Sequence, residues 1–234
     1  MKYAIIAAGE GSRLAAEGIT TPKPLVEVGG ELLIDRLIRI FMQNGADEIV
    51  CICNGHTPIV ASHLLQLQRD GLKGRPVPLR FVVKSTPSSM HSFFEISSYL
   101  TDAPFILTTV DTIFREDEFS RYVDDFRLSG SDGLMGVTEY VDDERPLYVG
   151  TDEQLNITEF SDTRGDCRFV SGGIYGLQPS AVVTLRNSIA RGEQRMRNFQ
   201  RALLRDGRRL VAWPFTKVLD IDHASDIRQA ENFL

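Results

Sequence analysis

Residues 7–25 read AAGEGSRLAAEGITTPKPL, a polar gap directly behind a short apolar run at residues 2–8 that has the makings of a buried strand. Gly9 and Gly11 tolerate positive φ and let backbone approach a ligand closely. Exposed N–H groups in such a turn can hold phosphate oxygens. Arg13 brings a bidentate guanidinium and Lys23 a compact point charge. Pro22 and Pro24 bracket Lys23, restrict its backbone and predict an extended path there. An ordinary surface loop leaves Arg13, Lys23 and both prolines unexplained. A P-loop requires G-x-x-x-x-G-K-[ST], which is absent. A dinucleotide fingerprint requires a third glycine where Leu14 stands, and a helix opening in the loop.

Outward from this stretch, the hydrophobic period switches repeatedly. ELLIDRLIRIFMQNG places Leu33, Leu37, Ile40 and Phe41 on one helical stripe and stops at Gly45. EIVCIC is a strand, PIVASHLLQLQRD a helix opened by Pro58, PLRFVVK a strand, HSFFEISSYL a helix and PFILTTV a strand. REDEFSRYVDDFRLSG is a helix with a wet face. The alternation predicts an α/β fold with a mostly parallel central sheet, helices on both faces and right-handed crossovers. Further on, DGLMGVTEY, LYVGTD, NITEF and RFVSGGIYGLQ read as strands. Helices follow over residues 179–190 and 196–205, then a strand in RRLVAWPF and a closing helix in ASDIRQAENF. Without repeat or linker, residues 1–234 are expected to form a single domain. Its first half, residues 1–114, reads as a nucleotide fold, and residues 115–234 would add strands to the same sheet.

Composition limits the possibilities. The 234 residues carry a net charge of −6, which argues against a nucleic-acid surface. No apolar run reaches the ~18 residues of a membrane span, and no secretory leader opens the sequence, so a cytoplasmic protein is expected. Cys51, Cys53 and Cys167 read as small buried hydrophobes in a reducing compartment; a metal site would want more Cys or His at ligand spacing.

The compound pattern A-A-G-x-G-S-R-L, followed by P-K-P-L and an apolar helix, resembles the signature of the sugar-phosphate nucleotidyltransferases, the nucleoside-diphosphate-sugar pyrophosphorylases. The resemblance implies a Rossmann-like three-layer α/β/α fold of glycosyltransferase-A type. It also implies an activity: a sugar 1-phosphate attacks the α-phosphate of a nucleoside triphosphate, and pyrophosphate leaves. The nucleophile is already an anion, so catalysis rests on positioning and charge neutralisation. By the same match Ala7, Ala8, Gly9, Gly11, Ser12 and Arg13 bind the nucleotide, with Arg13 on the departing end of the triphosphate. Lys23 would meet the α-phosphate and the incoming phosphate.

Carboxylates for Mg2+ can be sought by position. Asp111 follows PFILTTV at the carboxyl end of a strand, the edge at which open α/β sheets bind ligands. A helix cap or turn aspartate is the plainer reading, and the family has a metal-binding aspartate at this point. In KVLDIDHASDI, Asp220 and Asp222 alternate about Ile221 and would face one side of an extended segment. The segment resembles the family's late metal-ligand element, but His223 and Ala224 depart from it, and either aspartate can be the ligand. Asp226 reads as a helix-start residue.

VSGGIYG resembles the family's sugar-contacting N-A-G-I-Y segment; Gly172 and Gly173 would make room for an acceptor, or mark a strand bulge. Ser88 and Ser89, with Ser92, occupy the slot of the family's nucleobase turn and serve either as ligand contacts or as turn and cap residues. Where many members carry Glu-Lys-Pro, Ser161-Asp162-Thr163 stands here. Lys217 is the candidate for the missing acceptor charge, ahead of Arg164 and Arg168. His56 reads as a turn residue or pocket wall, and Trp213 as core or pocket lining. The departure keeps a second acceptor class open, a phosphoalcohol such as phosphocholine taking a cytidylyl group. A catalytically degenerate nucleotide-binding regulator is the non-enzyme alternative. A glycosyltransferase would need a D-x-D motif midway along the sequence, and Asp111 is followed by Thr112 and Ile113. No C-terminal β-helix or acyltransferase extension is expected.

Overall fold

A computed structural model describes residues 1–141 and 144–234. In sequence order the elements are β1 (Lys2–Ala7), α1 (Ser12–Ala16), a 3-10 turn (Lys23–Leu25), β2 (Glu27–Val28), β3 (Glu31–Leu32), α2 (Leu33–Gln43), β4 (Glu48–Cys53), α3 (Pro58–Asp70), β5 (Leu79–Val83) and α4 (Ser89–Ile96). They continue with a second 3-10 turn (Ser97–Tyr99), β6 (Phe105–Thr109), β7 (Thr112–Ile113), α5 (Glu116–Ser129), β8 (Gly133–Thr138), β9 (Tyr148–Thr151), β10 (Ile157–Ser161) and β11 (Phe169–Leu177). The last elements are α6 (Ala181–Ala190), α7 (Met196–Arg205), β12 (Leu210–Phe215), β13 (Leu219–Asp220) and α8 (Ala224–Phe233).

The main sheet runs β5-β4-β1-β6-β11-β8-β12, with β9 and β10 joined at the front end of β11. β5, β4, β1 and β6 are mutually parallel, so their carboxyl ends share one edge. β11 runs antiparallel to both neighbours, with Tyr175 opposite Leu107 of β6 and Met135 of β8, and β12 is parallel to β8. The expected mostly parallel α/β/α arrangement is therefore observed, with two reversed strands, β11 and the edge strand β10.

Alternation along β1 explains the three layers. Tyr3, Ile5 and Ala7 join a buried cluster with Ile34 and Phe41 of α2, Leu64 of α3, Phe119 of α5 and Ala230 of α8. Ala4, Ile6 and Ala8 join a second cluster with Phe93 of α4, Leu185 of α6 and Phe199 of α7. In the first cluster a ring column runs from Tyr3 to Phe41 (4.5 Å), Phe119 (5.7 Å) and Phe114 (4.6 Å). Phe114 directly follows β7, so the column anchors the segment that carries Asp111 and Thr112. Cys51 and Cys53 both point into this cluster and are free thiols, as is Cys167.

Two local expectations are corrected. The gap at residues 7–25 is not simply a loop: Ser12–Ala16 forms a short helix, because Leu14, 1% exposed, is drawn into the core. The extended path predicted at Lys23 is also absent. Pro22 is extended (ψ 134°), but Lys23–Leu25 is a 3-10 turn, in which the Leu25 N–H donates to the Pro22 carbonyl (2.8 Å) and the Val26 N–H to that of Lys23 (3.1 Å). Pro24 fits the first turn of a helix, where its missing N–H costs nothing. Trp213 is held by packing: its Nε1 donates to Asp125 (2.7 Å) and its ring packs on Phe215. No described helix is long and apolar enough to cross a membrane.

β11 is packed closely against α5. A Cβ added at Gly176 would lie 2.9 Å from the Phe126 ring and from the Tyr122 hydroxyl. Gly176→Ala should therefore destabilise the protein by about 1–3 kcal/mol through overpacking. Urea unfolding checks this, and an unchanged midpoint would contradict the packing described.

Candidate active site

The glycine loop leaves β1 at the carboxyl edge of the sheet. Gly11 caps α1 in the left-handed region (φ 62°), which favours glycine. A Cβ at Gly9 would meet nothing within 4 Å, so this position borders open space. The space is a cavity of about 540 Å3. Ala7, Ala8, Gly9, Gly11 and Ser12 form part of its lining, Thr86, Ser88, Ser89 and Ser92 another part, and Lys23 and Asp111 also border it. Ser88 also caps α4, its Oγ accepting from the His91 N–H (3.4 Å) and lying 2.9 Å from His91 Nδ1. Ser88 is thus a cap residue that also borders the cavity.

A second cavity, of about 340 Å3, is lined by Arg13, Thr138, Tyr140, Ser171, Gly172, Asp220, Asp222, His223, Asp226 and Gln229, among others. Gly172 and Gly173 are a bulge in β11, where the register with β8 slips between Ser171 and Ile174, and Gly173 has φ 71°. Lys217 is not among the residues lining this cavity. Its ammonium lies 4.1 Å from the Tyr140 ring centroid and 5.5 Å from that of Phe233, a cation–π arrangement behind Tyr140. In the Ser161-Asp162-Thr163 slot, Asp162 is taken up by Arg197 (2.5 Å) and Arg201 (2.9 Å) of α7.

The charged residues singled out in sequence meet where the two cavities adjoin. Lys23 Nζ donates to Asp111 Oδ2 (2.7 Å) and to Asp222 Oδ1 (2.8 Å), and Arg13 Nη1 donates to Asp222 Oδ2 (2.6 Å). Lys23 and Asp111 line the first cavity; Arg13, Asp220 and Asp222 line the second. A two-strand ladder brings the late aspartates here: β13 pairs antiparallel with β7, setting Asp220 opposite Thr112, and the Ile221 N–H donates to the Asp111 carbonyl (3.1 Å). Ile221 is fully buried, so Asp220 and Asp222 face the same cavity on either side of it.

The electrostatics follow from this crowding. Burial alone would lower the Lys23 ammonium, but Asp111 and Asp222 outweigh it and hold its pKa above the ordinary lysine value. Burial likewise pushes Asp222 up, and Lys23 with Arg13 overrules it, leaving the carboxyl below the usual range. Asp220 goes the other way. Desolvation and then the Asp111 and Asp222 carboxylates raise its pKa, against the weaker pull of Lys23 and a Thr112 hydrogen bond. Part of Asp220 opens on the cavity, so solvent tempers the desolvation, while the two neighbouring carboxylates keep the direction.

Asp111, Asp220 and Asp222 offer only oxygen donors, the ligand chemistry of a hard divalent cation, and an ammonium already bridges two of them. Among the described residues no group of three His, Cys, Asp or Glu side chains forms a metal cage by itself. A cation here would draw its remaining ligands from phosphate or water, as Mg2+ commonly does.

Two supporting residues were not anticipated. Glu17 accepts from the Ala224 N–H (2.7 Å) and lies 2.6 Å from His223 Nδ1, tying the end of α1 to the start of α8. Glu118, 6% exposed on α5, accepts from the N–H (3.0 Å) and hydroxyl (2.6 Å) of Thr216, just ahead of β13. A glutamate in a helix that otherwise reads as wet gives no local sign of such a partner. Asp226 is the helix-start residue expected, accepting from the N–H groups of Asp222 (2.9 Å) and His223 (2.6 Å). His56 is a turn residue, its N–H donating to Asn54.

The sequence profile of the family described as Nucleotidyl transferase matches residues 2–234. The glucose-1-phosphate cytidylyltransferase of Salmonella typhimurium is 21% identical over 211 residues, covering 83% of this chain and 81% of that protein. Among solved structures, a putative glucose-1-phosphate thymidylyltransferase from Bacillus anthracis superposes with a TM-score of 0.83 at 21% identity, covering 100% of this chain and 94% of the other. The inositol-1-phosphate CTP transferase from T. maritima superposes with a TM-score of 0.78 at 17% identity, covering 99% and 94%. The chain belongs to the nucleotidyl transferase family, as its N-terminal motif implied.

The raised Asp220 carboxyl carries a stability consequence. A carboxyl whose folded pKa lies above its unfolded value disfavours the folded state once it ionises, so it costs stability above the ordinary aspartate pKa of about 4 and nothing well below it. Asp220→Asn should raise the melting temperature at about pH 7.5, and the gain should vanish at about pH 3. Thermal unfolding at the two pH values tests this, and no gain at the higher pH would refute the crowding.

Proposed function

We propose that this chain transfers a nucleoside monophosphate unit from a nucleoside triphosphate to a sugar 1-phosphate, releasing pyrophosphate, with Mg2+ as cofactor. One observation carries the reading: Lys23, Asp111 and Asp222 join where a cavity lined by the glycine loop meets one lined by the β11 bulge. A reaction between two phosphate groups needs its cations at such a junction. The nucleotide falls to residues 1–114 and the acceptor to residues 115–234. This division is supported by the lining of the first cavity, drawn wholly from the earlier part, and of the second, drawn from the later part apart from Arg13.

In this reading Gly9, Gly11 and Ser12 present backbone to the triphosphate, and Ser88 and Ser89 border the nucleoside. Arg13 exchanges Asp222 for the departing end of the triphosphate. Lys23 holds the α-phosphate and the acceptor phosphate together as the acceptor oxygen bonds to the α-phosphorus and the bond to the β-phosphate oxygen breaks. Asp111 with Asp220 or Asp222 would hold Mg2+, which when bound neutralises phosphate charge. Gly172 and Gly173 leave room for the acceptor. Lys217, set behind Tyr140, would act on the acceptor only by moving off that ring. A cytoplasmic setting goes with three free, buried cysteines.

A phosphoalcohol acceptor is the second reading. The similarity to an inositol-1-phosphate CTP transferase favours it, together with a slot at Asp162 that is filled by arginine pairs instead of offering a lysine to the acceptor. Incubation with each nucleoside triphosphate, Mg2+ and a panel of sugar 1-phosphates and phosphoalcohols, read by pyrophosphate release, separates the two. Nucleotide binding without pyrophosphate from any pair would instead favour a regulatory protein.

Two variants test the roles. Lys23→Ala should lower kcat by about 10^2–10^3-fold while weakening triphosphate binding far less, because charge shifts at the α-phosphorus in the transition state. Equal losses in both would remove Lys23 from that role. Asp111→Ala should leave the protein folded, abolish turnover and remove the Mg2+ dependence of triphosphate binding; full activity would overturn the assignment.

A further inference from the structure

Between the two walls of the first cavity, but outside its lining, lies Asn54, in the turn after β4. It is 4% exposed, an unusual place for an amide directly behind the apolar run of β4. Its side chain reaches in both directions. Nδ2 donates to the carbonyl of Ala8 (3.0 Å), the residue that opens the glycine loop. Oδ1 accepts from the Ser85 hydroxyl (2.6 Å) and from the His56 N–H (2.9 Å). Ser85 immediately precedes Thr86, where the serine wall of the cavity begins. A backbone carbonyl on one side and a backbone N–H on the other leave a single orientation of the amide that satisfies both.

No other side-chain hydrogen bond joins these two walls among the described residues. The serine wall is stiffened within itself, since Thr86 Oγ1 lies 2.6 Å from Ser92 Oγ and Ser88 caps α4. The glycine loop is anchored at its far end by Leu14. Each wall is thus held as a unit, and beyond the backbone ladder of β1, β4 and β5 the side chain of Asn54 joins one to the other.

We infer that Asn54 is a positioning residue that fixes the spacing of the nucleotide cleft by tying Ala8 to Ser85. The inference rests on the reading of this cavity as the triphosphate site. Asn54→Asp keeps the shape and the acceptor for Ser85 but loses the donor, setting negative charge against the Ala8 carbonyl. Ser85→Ala removes the opposite half of the link without adding charge.

The measurements are calorimetric dissociation constants for the triphosphate that wild type binds best, and the KM for the acceptor at saturating triphosphate. Asn54→Asp should weaken triphosphate binding about tenfold, and Ser85→Ala about threefold, with acceptor KM within about twofold of wild type in both. A general loss of structure would move both substrates together. Folded Asn54→Asp protein that binds triphosphate as wild type does, or that loses acceptor affinity equally, would overturn the inference. If Asn54→Asp does not fold, the Ser85→Ala comparison decides in the same way. Wild type that binds no triphosphate would bring down the reading of the cavity and this inference with it; wild-type binding undiminished by either variant would remove the inference alone.

Discussion

The Lys23 ammonium holds the candidate active site together. It lies between two carboxylates brought from distant parts of the sequence, Asp111 behind β6 and Asp222 behind β13, and is itself only 11% exposed. At that depth an ion pair depends on its geometry, since the charges have given up most of their water and breaking one side leaves the other uncompensated. The surrounding architecture supplies that geometry. The 3-10 turn aims Lys23, the β7–β13 ladder fixes the spacing of the aspartates, and the aromatic column seats Phe114 and, through it, β7.

The charges at this centre do not balance. Asp111, Asp220 and Asp222 face Lys23 and Arg13, and Arg13 is half-exposed and reaches only Asp222. The excess falls on Asp220, whose carboxyl is raised while that of Asp222 is lowered. A ligand that carries its own cations alongside phosphates would relieve the excess and draw the two basic residues towards itself. Carboxylates crowded at the expense of stability are a common cost of a site built to receive charge.

Much of the fold was legible in sequence because β1, β4 and β6 are apolar runs alternating with helical stripes, a local pattern tied to burial on both faces. Arg13, Lys23, Asp111 and Asp222 stood out in sequence as polar residues behind such strands, and the structure joins their side chains in one cluster. The rest depends on distant partners. The β7–β13 ladder is two residues long on each side and has no period to read. The bend at Lys23 comes from the pull of Leu14, Pro24 and Val26 into the core, which overrides the bias of a residue before proline. Lys217 was expected at the acceptor because it lies close to Asp220 in sequence, but the rings of Tyr140 and Phe233, far apart in sequence, hold it elsewhere. The partners of Asn54, Ala8 and Ser85, lie far from it in sequence, so nothing local announces its role.

The reversed strand β11 bears on how the protein is made. Strand β6 sits inside the finished sheet, but its neighbour β11 follows about sixty residues later in the sequence, after β7, α5 and three further strands. Until β11 is synthesised, β6 presents an open edge of unpaired backbone groups beside Asp111, the kind of edge that recruits foreign strands. Asp220 and Asp222 follow later still. A nascent polypeptide on the ribosome therefore passes through a stage in which the glycine loop and its cleft can be shaped while the sheet edge lies bare and the carboxylate cluster is incomplete. Chaperone demand should be greatest in that interval, and chemistry begins only after it closes.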